Sequence, residues 1–430
     1  MKNANWKVII LVTIILAPIF LFLQQPTAQA STSDNWPMFQ HDSAHTGYSR
    51  SVFPTTNLTV AWTFQPIPYE FAFRTPTITD DNLYITDQNQ IYCINASSGK
   101  LTWNQSLTRP IPLAWWGFST AVSGGCVYTD SAAYNASTGQ LMFNYAEQGC
   151  TSPTIANGLI YIGSNLGGVV ALSAATGVKM WNYTAGKVEF SPAVAGGVVY
   201  FSSSDRNVYA LDASTGRELW RVPSIGDRYT HTVVADGYVY LNGHGGIFYC
   251  LNALTGAKVW NQQGNSGLSG PQNSPAVANG YVYAGSDAFN ATTGVPLWHN
   301  NILSGSSPAI AEGVVYVDYY NEPSDSFKES IHALNASTGT EIWNYDFPGE
   351  YDTYLVSNPL IADDMLYIGT GAALYAFSAS SLSPTATSQT NIPSNLTPFF
   401  SNYLFLVIII LVPVILAIVY LVIKRRKSKT

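Results

Sequence analysis

The sequence predicts an all-β fold, an eight-bladed β-propeller with four-stranded blades, and a repeated turn motif carries this prediction. A Thr-Gly step, once Ser-Gly, is followed by Trp or, once, Phe, and successive copies lie 38 to 45 residues apart. A repeat of about 40 residues is typical of propeller blades. The glycines of the motif are Gly99, Gly139, Gly177, Gly216, Gly256, Gly294 and Gly339.

Each period contains four short strands separated by turns. In the fourth copy, runs rich in Val, Tyr and Leu at 198–201 and 208–211 precede the Thr-Gly turn, and a third run at 218–220 follows it. Such short apolar runs bounded by Gly-containing turns indicate strands, and no segment before residue 400 has a long helical period. Radially arranged units of this kind form a propeller.

The aromatic residues that end the units predict how the ring closes. The last unit, 358–378, has three strands but no turn motif or Trp after them, whereas Trp62 has no inner strands before it. We therefore expect Trp62 to complete the eighth blade, which leaves no free sheet edge at the seam. The predicted outer-strand residues are Trp62, Trp103, Phe143, Trp181, Trp220, Trp260, Trp298 and Trp343.

The turn motif and its Trp resemble the docking motif of propellers with pyrroloquinoline-quinone-like (PQQ-like) repeats, over residues 36 to 379. The resemblance implies that each aromatic residue of the series packs against the turn of the neighbouring blade. The segment that begins Trp36-Pro37-Met38 also resembles the one preceding the first blade in such proteins. The family includes quinoprotein dehydrogenases and noncatalytic scaffolds, such as the lipoprotein of the outer-membrane assembly machinery, so the fold leaves activity open.

The two ends of the chain predict export and membrane attachment. An apolar run at 8–23 after Lys2 and Lys7, with a small-residue cleavage site, indicates a signal peptide over 1–30; an uncleaved anchor is the alternative. A cap segment, 31–56, then precedes the propeller, 57–379. A stalk rich in Ser, Thr and Pro, 380–402, leads to an apolar stretch at 403–423, long enough for a transmembrane helix. The basic tail, 424–430, is expected in the cytoplasm, with the propeller outside the cell membrane.

Composition and short motifs limit the partners. Only 10% of residues are charged and the net charge is −7, with no basic patch outside the tail, which argues against nucleic acid. Four Asn-x-Ser/Thr motifs fall at the turn position of Asp212, where a side-chain oxygen bonding the turn explains them: Asn95, Asn135, Asn290 and Asn335. The better glycosylation candidates are Asn57, Asn104, Asn182 and Asn395.

The four cysteines are expected to be small buried residues rather than disulfides. Cys93 and Cys250 fill the same third-strand position in blades on opposite sides of the ring, beyond the reach of a bridge. Cys126 begins a second strand, whereas Cys150 precedes a first strand, so these two lie on opposite rims.

Catalytic features are sparse. Resemblance to quinoprotein dehydrogenases implies adjacent cysteines, a stacking Trp and a calcium cluster, but no two cysteines are adjacent and no calcium-loop spacing occurs. We therefore expect no resident cofactor, with PQQ and calcium as the alternative. His41, Asp42 and His45 suggest a hydrogen-bonded cap rather than a metal site. The other histidines are scattered among blades, and the sequence does not assemble a Ser-His-Asp set.

Long connections predict a binding face. Three of the longest, 104–118, 318–329 and 346–354, join strands at the same face and carry aromatic residues that serve either recognition or local packing. The candidates are Trp115, Trp116, Phe118, Tyr319, Tyr320, Tyr351 and Tyr354. Polar residues preceding first strands could hold a small ligand or face water in a central funnel: Arg74, Glu189, His231, Asn273 and Asn358.

These observations favour a cell-surface, membrane-anchored propeller that acts as a noncatalytic binding or scaffold module for a protein or a surface glycan. One alternative is a quinone-dependent or other small-molecule oxidoreductase that uses the central funnel. Another is a structural component of the cell envelope.

Overall fold

The computed structural model describes 35–51, 58–65, 74–111, 118–145, 147, 149, 151–164, 166–225, 230–243, 246–264, 273–285, 287–300, 306–321, 328–348, 357–371 and 373–379. These residues form eight four-stranded antiparallel sheets, which confirms the predicted blade count. Within them, no helix is long and apolar enough to cross a membrane. The predicted signal peptide, stalk, transmembrane segment and tail lie outside the described residues.

The first four blades follow the chain from the inner to the outer strand. Blade 1 is β2 (Thr77–Thr79), β3 (Asn82–Thr86), β4 (Gln90–Asn95) and β5 (Leu101–Ser106); blade 2 is β6 (Ala121–Ser123), β7 (Cys126–Tyr128), β8 (Ala132–Asn135) and β9 (Leu141–Asn144). Blade 3 is β10 (Thr154–Ala156), β11 (Leu159–Gly163), β12 (Val169–Ser173) and β13 (Lys179–Tyr183); blade 4 is β14 (Ala193–Ala195), β15 (Val198–Ser202), β16 (Val208–Asp212) and β17 (Glu218–Val222).

The remaining blades repeat this order, and the last takes its outer strand from the start of the propeller. Blade 5 is β18 (Thr232–Ala235), β19 (Tyr238–Asn242), β20 (Ile247–Asn252) and β21 (Lys258–Gln263); blade 6 is β22 (Ala276–Ala278), β23 (Tyr281–Ala284), β24 (Asp287–Asn290) and β25 (Pro296–His299). Blade 7 is β26 (Ala309–Ala311), β27 (Val314–Asn321), β28 (Lys328–Asn335) and β29 (Glu341–Asp346); blade 8 is β30 (Leu360–Ala362), β31 (Met365–Gly369), β32 (Leu374–Ala379) and β1 (Leu58–Phe64).

Ring closure follows the predicted scheme. Strand β1 pairs antiparallel with β32, and Trp62 lies opposite Ala376. The chain segment that begins the propeller thus supplies the fourth strand of the blade that ends it. This pairing covers the edge of β32, which would otherwise offer unpaired backbone groups to another chain.

The hydrophobic core lies between adjacent blades. In one cluster, Tyr161 and Ala171 of blade 3 pack with Val199 and Phe201 of blade 4. The second and third strands are almost wholly buried, because both of their faces meet neighbouring blades. Outer strands such as β17 are half-buried.

A β-bulge precedes the outer-strand aromatic residue in each described blade. In blade 4, Ala210 lies opposite Trp220 while Leu211 lies opposite Glu218, so Leu219 is the extra residue. A bulge bends the strand and redirects side chains. Here it leaves the residue before the aromatic exposed, as in Met142, Met180, Leu219, Val259 and Leu297. The same register shift occurs in the other seven pairings.

The outer-strand tryptophans connect neighbouring blades, as the resemblance implied. The indole Nε1 of Trp181 donates to the carbonyl of Ala213 in the next blade at 3.0 Å, and the Tyr161 hydroxyl donates to the same oxygen at 3.0 Å. The ring of Trp181 also covers Gly216, which has a φ of +72°. Equivalent indole bonds join Trp62 to Ala96, Trp103 to Ala136, Trp220 to Ala253, Trp260 to Ala291 and Trp298 to Ala336.

Two positions depart from this pattern. Phe143 lacks a donor, and the Ala174 carbonyl accepts from the Tyr128 hydroxyl at 2.9 Å, as in most other blades, while the Phe143 ring covers Gly177. Trp343 faces the eighth blade, which has no Thr-Gly turn, and its ring packs against Phe377 at 5.6 Å between centroids. Every outer strand therefore uses its aromatic residue for packing. The indole hydrogen bond to the next blade needs both a Trp in the outer strand and a Thr-Gly or Ser-Gly turn in that next blade.

One predicted connection is shorter than expected. Both ends of the connection expected at 318–329 are strand, because β27 extends to Asn321 and β28 begins at Lys328. Asp318 lies opposite Ile331, and Tyr319 lies opposite Ser330. Alternating residues in this segment give it strand character that a polar composition concealed.

Three cysteines are free thiols, namely Cys93, Cys126 and Cys250. Cys93 and Cys250 lie in the third strands of blades 1 and 5, as expected from the repeat. Burial raises the pKa of Cys93 to about 11 and that of Cys250 to about 12, so both thiols are protonated at neutral pH. Cys150 lies outside the described residues.

Candidate functional site

The centre of the ring is crossed by the chain's own N-terminal segment, residues 36–49, which we call the strap. Trp36 exchanges two backbone hydrogen bonds with Ile78 of β2, each 2.9 Å. Farther along, the carbonyls of Ala44 and Gly47 accept from Val234 and Ile310, each at 2.9 Å. The innermost-strand residues that bond the strap backbone are Ile78, Val122, Val194, Val234, Val277 and Ile310.

A buried histidine connects the strap to a further blade. His45 is fully buried, with Nδ1 3.3 Å from the Thr232 carbonyl and Nε2 3.1 Å from Oγ1 of Thr154. Because a carbonyl only accepts, Nδ1 carries the proton and Nε2 accepts from Thr154. Burial lowers the pKa of His45 to about 4, and the nearby Asp42 carboxylate opposes this only in part. His45 is therefore neutral at physiological pH.

Aromatic rings fill the axis beside His45. The Phe39 ring is 5.2 Å from His45, edge-on, and it stacks on His231 at 5.2 Å between centroids. The Phe190 ring is also tilted against His231, with 3.8 Å between ring centroids. Phe39 is thus the strap's apolar contribution to this cluster, and His231 contacts two phenyl rings.

An acidic residue organises the strap itself. The carboxylate of Asp42 accepts from the backbone N–H groups of Ala44 and Thr46 at 3.0 and 3.1 Å, and from the Thr46 hydroxyl at 2.5 Å. Burial raises the pKa of Asp42, but hydrogen bonds from His41 and Thr46 outweigh it and leave that pKa below its ordinary value. His41, Asp42 and His45 therefore have protein partners consistent with a cap.

A belt of small polar residues joins the blades at the ends of the innermost strands. The backbone N–H of Ser307 donates to Oδ1 of Asn358 at 2.8 Å, and that of Asn358 donates to Oγ1 of Thr75 at 3.2 Å. Similar 2.8 Å bonds run from Ser119 to Oγ of Ser152 and from Ser274 to Oγ of Ser307. In this belt His231 stands where most blades have Ser or Thr.

The funnel candidates differ in burial. Arg74, His231 and Asn358 are all buried. Burial lowers the pKa of Arg74 to about 10, although Asp87 favours its charged form. Glu189 and Asn273 are half-buried, and the Asn273 carbonyl accepts from Nδ2 of Asn242 at 2.9 Å. The sequence analysis treats these five residues as occupying equivalent positions. In the structure they precede their first strands by different numbers of residues.

The connection that carries Trp115 and Trp116 is anchored on both sides. Before it, the backbone N–H groups of Leu107 and Ile111 donate to the carbonyls of Asn89 and Gln88, each at 2.8 Å. Nearby, the Arg109 guanidinium forms an ion pair with buried Asp130 and donates to the Gly149 carbonyl at 3.0 Å. After it, Phe118 is buried and its carbonyl accepts from Thr75.

Phe118 and Tyr319 are packing residues in the structure. Phe118 is only 3% exposed, which corrects its assignment to an exposed binding face. Tyr319 is half-buried in β27 with its ring edge-on to His332 at 5.5 Å. The other face candidates lie outside the described residues or, for Tyr320, in a strand whose side chain is not described: Trp115, Trp116, Tyr320, Tyr351 and Tyr354.

The asparagines of the turn position bond their own backbone, as expected. Oδ1 of Asn135 accepts from the N–H groups of Ser137 and Thr138 at 3.0 and 2.9 Å. Asn104 and Asn182, two of the glycosylation candidates, are exposed on β5 and β13. Asn57 and Asn395 lie outside the described residues.

The described axis does not fit pyrroloquinoline quinone. The cofactor is a planar polycarboxylate, so it needs a flat slot and several cations. Phe39, His45 and His231 fill the axis, and the buried cation Arg74 faces Asp87. Within the described chain, no group of three or more His, Cys, Asp or Glu side chains is arranged to hold a metal ion.

The structure also assembles a set that sequence reading missed. Oγ of Ser330 lies 2.8 Å from Nε2 of His332, and Nδ1 of His332 lies 2.7 Å from Oε2 of Glu341. The sequence could have indicated the first pair, because Ser330 and His332 are two residues apart in one strand and their side chains share a face. Glu341 was hidden by the bulge that shifts its register.

The sequence family agrees with this architecture. A family described as outer membrane protein assembly factor BamB matches residues 57–128, 113–287 and 287–384, which together span more than half of the chain. The chain belongs to this family. No curated protein matches it in sequence.

Solved structures share the propeller. BamB from Moraxella catarrhalis is 18% identical, with 76% of this chain and 99% of that one covered at a TM-score of 0.58. A europium-containing methanol dehydrogenase is 13% identical, with 80% and 98% covered at 0.65. Quinohemoprotein alcohol dehydrogenase from Comamonas testosteroni is 14% identical, with 86% and 83% covered at 0.63. At these identities the likeness establishes the fold alone.

Proposed function

We propose that this propeller is a noncatalytic binding or scaffold module, and that its partner is a protein or a surface glycan. The filled axis carries the proposal. Because the strap, Phe39 and His231 occupy the centre of the ring, a ligand has to be recognised outside it. Loops held by a rigid scaffold are the usual place for such recognition.

The anchored connection at 104–118 is the binding element that we favour. Its ends are fixed by the bonds of Leu107 and Ile111 and by the Arg109–Asp130 ion pair. A second connection leaves blade 7 at Phe347, which is buried and whose N–H donates to Glu329 at 3.0 Å. Fixed ends reduce the ordering cost when the aromatic residues between them bind a partner.

The family supports a protein partner. Its description names an assembly factor for outer membrane proteins, an activity that depends on contacts between proteins. For this chain, we propose the same class of activity, carried out on the outer side of a cell membrane. The predicted signal peptide and the apolar stretch at 403–423 would place and tether the propeller there.

Replacing Trp115 and Trp116 by Ala in the full-length chain tests the proposal. The partner is first captured by crosslinking in host membranes, and glycan arrays cover the glycan case. We expect at least about tenfold weaker binding with an unchanged thermal midpoint, because aromatic anchors carry much of the energy of an interface. Leu254→Ala is the matched control, since Leu254 is 85% exposed on a turn at the opposite face. Unchanged binding in a folded double variant contradicts the proposal.

A further inference from the structure

One outer edge of the ring lacks the features that usually keep sheet edges apart. The strand β9 (Leu141–Asn144) is the last of blade 2, and no described strand pairs with its outer side. Its residues are Leu, Met, Phe and Asn, so the strand carries no charge. Leu141 and Met142 are 42% and 52% exposed. An uncharged, apolar edge offers its unpaired N–H and C=O groups as a template for another strand.

The other described outer strands differ from β9. The strand β25 begins at Pro296, which has no N–H to donate. The strands β1 and β5 are uncharged, but apart from Leu101 their exposed residues are Thr, Ala, Asn, Gln and Ser. Charged side chains, which oppose edge pairing, occur in the remaining four. They are Lys179 in β13, Glu218 and Arg221 in β17, Lys258 in β21, and Glu341 and Asp346 in β29.

The apolar surface of β9 continues onto blade 3. Gly177, in the turn before β13, lies against β9, because a Cβ built on it would be 2.8 Å from the Phe143 ring. Val178 follows this glycine, and Val178 and Met180 are both 57% exposed. Exposed apolar residues that lie together in this way mark an interaction surface. The four side chains that we call the β9 patch are Leu141, Met142, Val178 and Met180.

The charges beside the β9 patch are paired within the chain. Lys179, which lies between Val178 and Met180, forms an ion pair with Glu147. A charged partner strand would place its charge against Leu141 and Met142 without a counter-ion, and a charge that loses water without a partner costs free energy. The edge therefore fits an uncharged strand with large apolar side chains.

We infer that β9 pairs with β9 of a second copy of this chain, antiparallel and about a two-fold axis. Such a pair is self-complementary, because each copy supplies the neutral, apolar strand that the other accepts. The N–H and C=O groups of the two edges then bond each other, and the two β9 patches cover one another. Two β29 strands paired in this way would place Glu341 opposite Asp346, and like charges oppose pairing. Because each chain has one such edge, the assembly stops at a dimer.

The size and chemistry of the contact predict a reversible dimer. The strand β9 has four residues, so an interface built on it and the β9 patch lies at the low end of specific protein contacts. Apolar burial drives the association, so added salt should not weaken it, whereas salt would weaken a contact held by surface ion pairs. For the proposed binding function, the dimer presents two binding modules together and raises the avidity for a repeated partner.

Sedimentation of the full-length chain in detergent tests the dimer. We expect a monomer–dimer equilibrium that depends on protein concentration. Met142→Lys should raise the dissociation constant at least about tenfold, because the two-fold axis brings the new charge close to its own copy. Leu297→Lys is the matched control, since Leu297 is also exposed and also precedes the aromatic residue of its outer strand. Both variants should keep the wild-type thermal midpoint, because both side chains are exposed.

Crosslinking in host membranes shows which surfaces meet. Met142→Cys treated with a short bis-maleimide should give a dimer of the chain, whereas Leu297→Cys should give no more than the wild type, whose own four cysteines supply the background. A chain that remains monomeric overturns the inference, as does a dimer with the same dissociation constant in Met142→Lys and Leu297→Lys. Crosslinking of Met142→Cys only to a different protein also overturns it, because the edge then has another occupant.

Discussion

The indole Nε1 of Trp220 donates to the carbonyl oxygen of Ala253 at 2.9 Å, across the boundary between blades 4 and 5. The Tyr200 hydroxyl donates to the same oxygen at 3.2 Å. One backbone carbonyl therefore joins an outer strand and a second strand to the next blade. Because the arrangement recurs from blade to blade, the stability of the ring depends on these carbonyls together with the rings that cover the turns.

Substituting Trp220 separates the hydrogen bond from the packing. Trp220→Phe keeps most of the ring but loses the donor, so we expect a cost of about 1 kcal/mol. Trp220→Ala also opens a cavity against Gly256, and we expect about 3 to 5 kcal/mol. Urea unfolding measures both, and equal costs for the two variants would show that the ring contributes little.

The blade 2 position already lacks the donor, which makes the reverse substitution informative. Phe143 covers Gly177, and the Ala174 carbonyl holds only one of the two bonds found at Ala253. Phe143→Trp should restore the indole bond and stabilise the protein by up to about 1 kcal/mol. A lower thermal midpoint would mean that the site has closed around the smaller ring and that overpacking dominates.

Two glycines distinguish backbone strain from contact between blades. Gly216 and Gly197 have φ values of +72° and +79°. A Cβ on Gly216 would lie 2.6 Å from the Trp181 ring, whereas one on Gly197 would have nothing within 4 Å. Ala at Gly197 should cost about 1 to 2 kcal/mol from φ alone, and Ala at Gly216 should cost clearly more. Equal unfolding free energies for the two variants would contradict close docking of the Trp181 ring.

The repeat was visible in the sequence because the turn motif and its aromatic residue recur about every 40 residues. Trp62 and the unpaired last unit were sufficient to predict closure, which the β1–β32 pairing confirms. The path of the strap was not predictable, since its backbone bonds to Val194 and Val234 carry no residue-type signal. The same limit hid the Ser330–His332–Glu341 series, because its last member depends on a bulge rather than on spacing.

The extended hairpin of blade 7 shows a second limit. Tyr319 and Asp318 lie in a segment whose polar residues indicated a loop, yet they continue β27. Asp318 is buried and accepts from the Ser306 N–H at 2.7 Å. A polar side chain with a dedicated partner can remain in a strand, and sequence alone does not reveal the partner.

His45 predicts an acid-sensitive strap. Its pKa is about 4 in the folded protein, below the ordinary value of 6.5, so the unfolded chain binds more protons between these values. Stability should therefore be full above pH 6.5 and fall as pH decreases toward 4. Between pH 7 and pH 5 this group alone should cost about 2 kcal/mol. The pKa of Asp42 lies below 3.8, so that carboxyl does not titrate in this window.

Replacing His45 by Asn isolates this contribution from the rest of the protein. The variant lacks the imidazole at position 45, whose pKa differs between the folded and unfolded states. The difference in unfolding free energy between pH 7 and pH 5 should therefore shrink by about 2 kcal/mol. His299→Asn is the control, because His299 is partly exposed beside Asp287 and away from the strap. Urea unfolding at the two pH values measures the effect. Equal pH dependence in the wild type and His45→Asn would show that His45 is not held neutral in the axis.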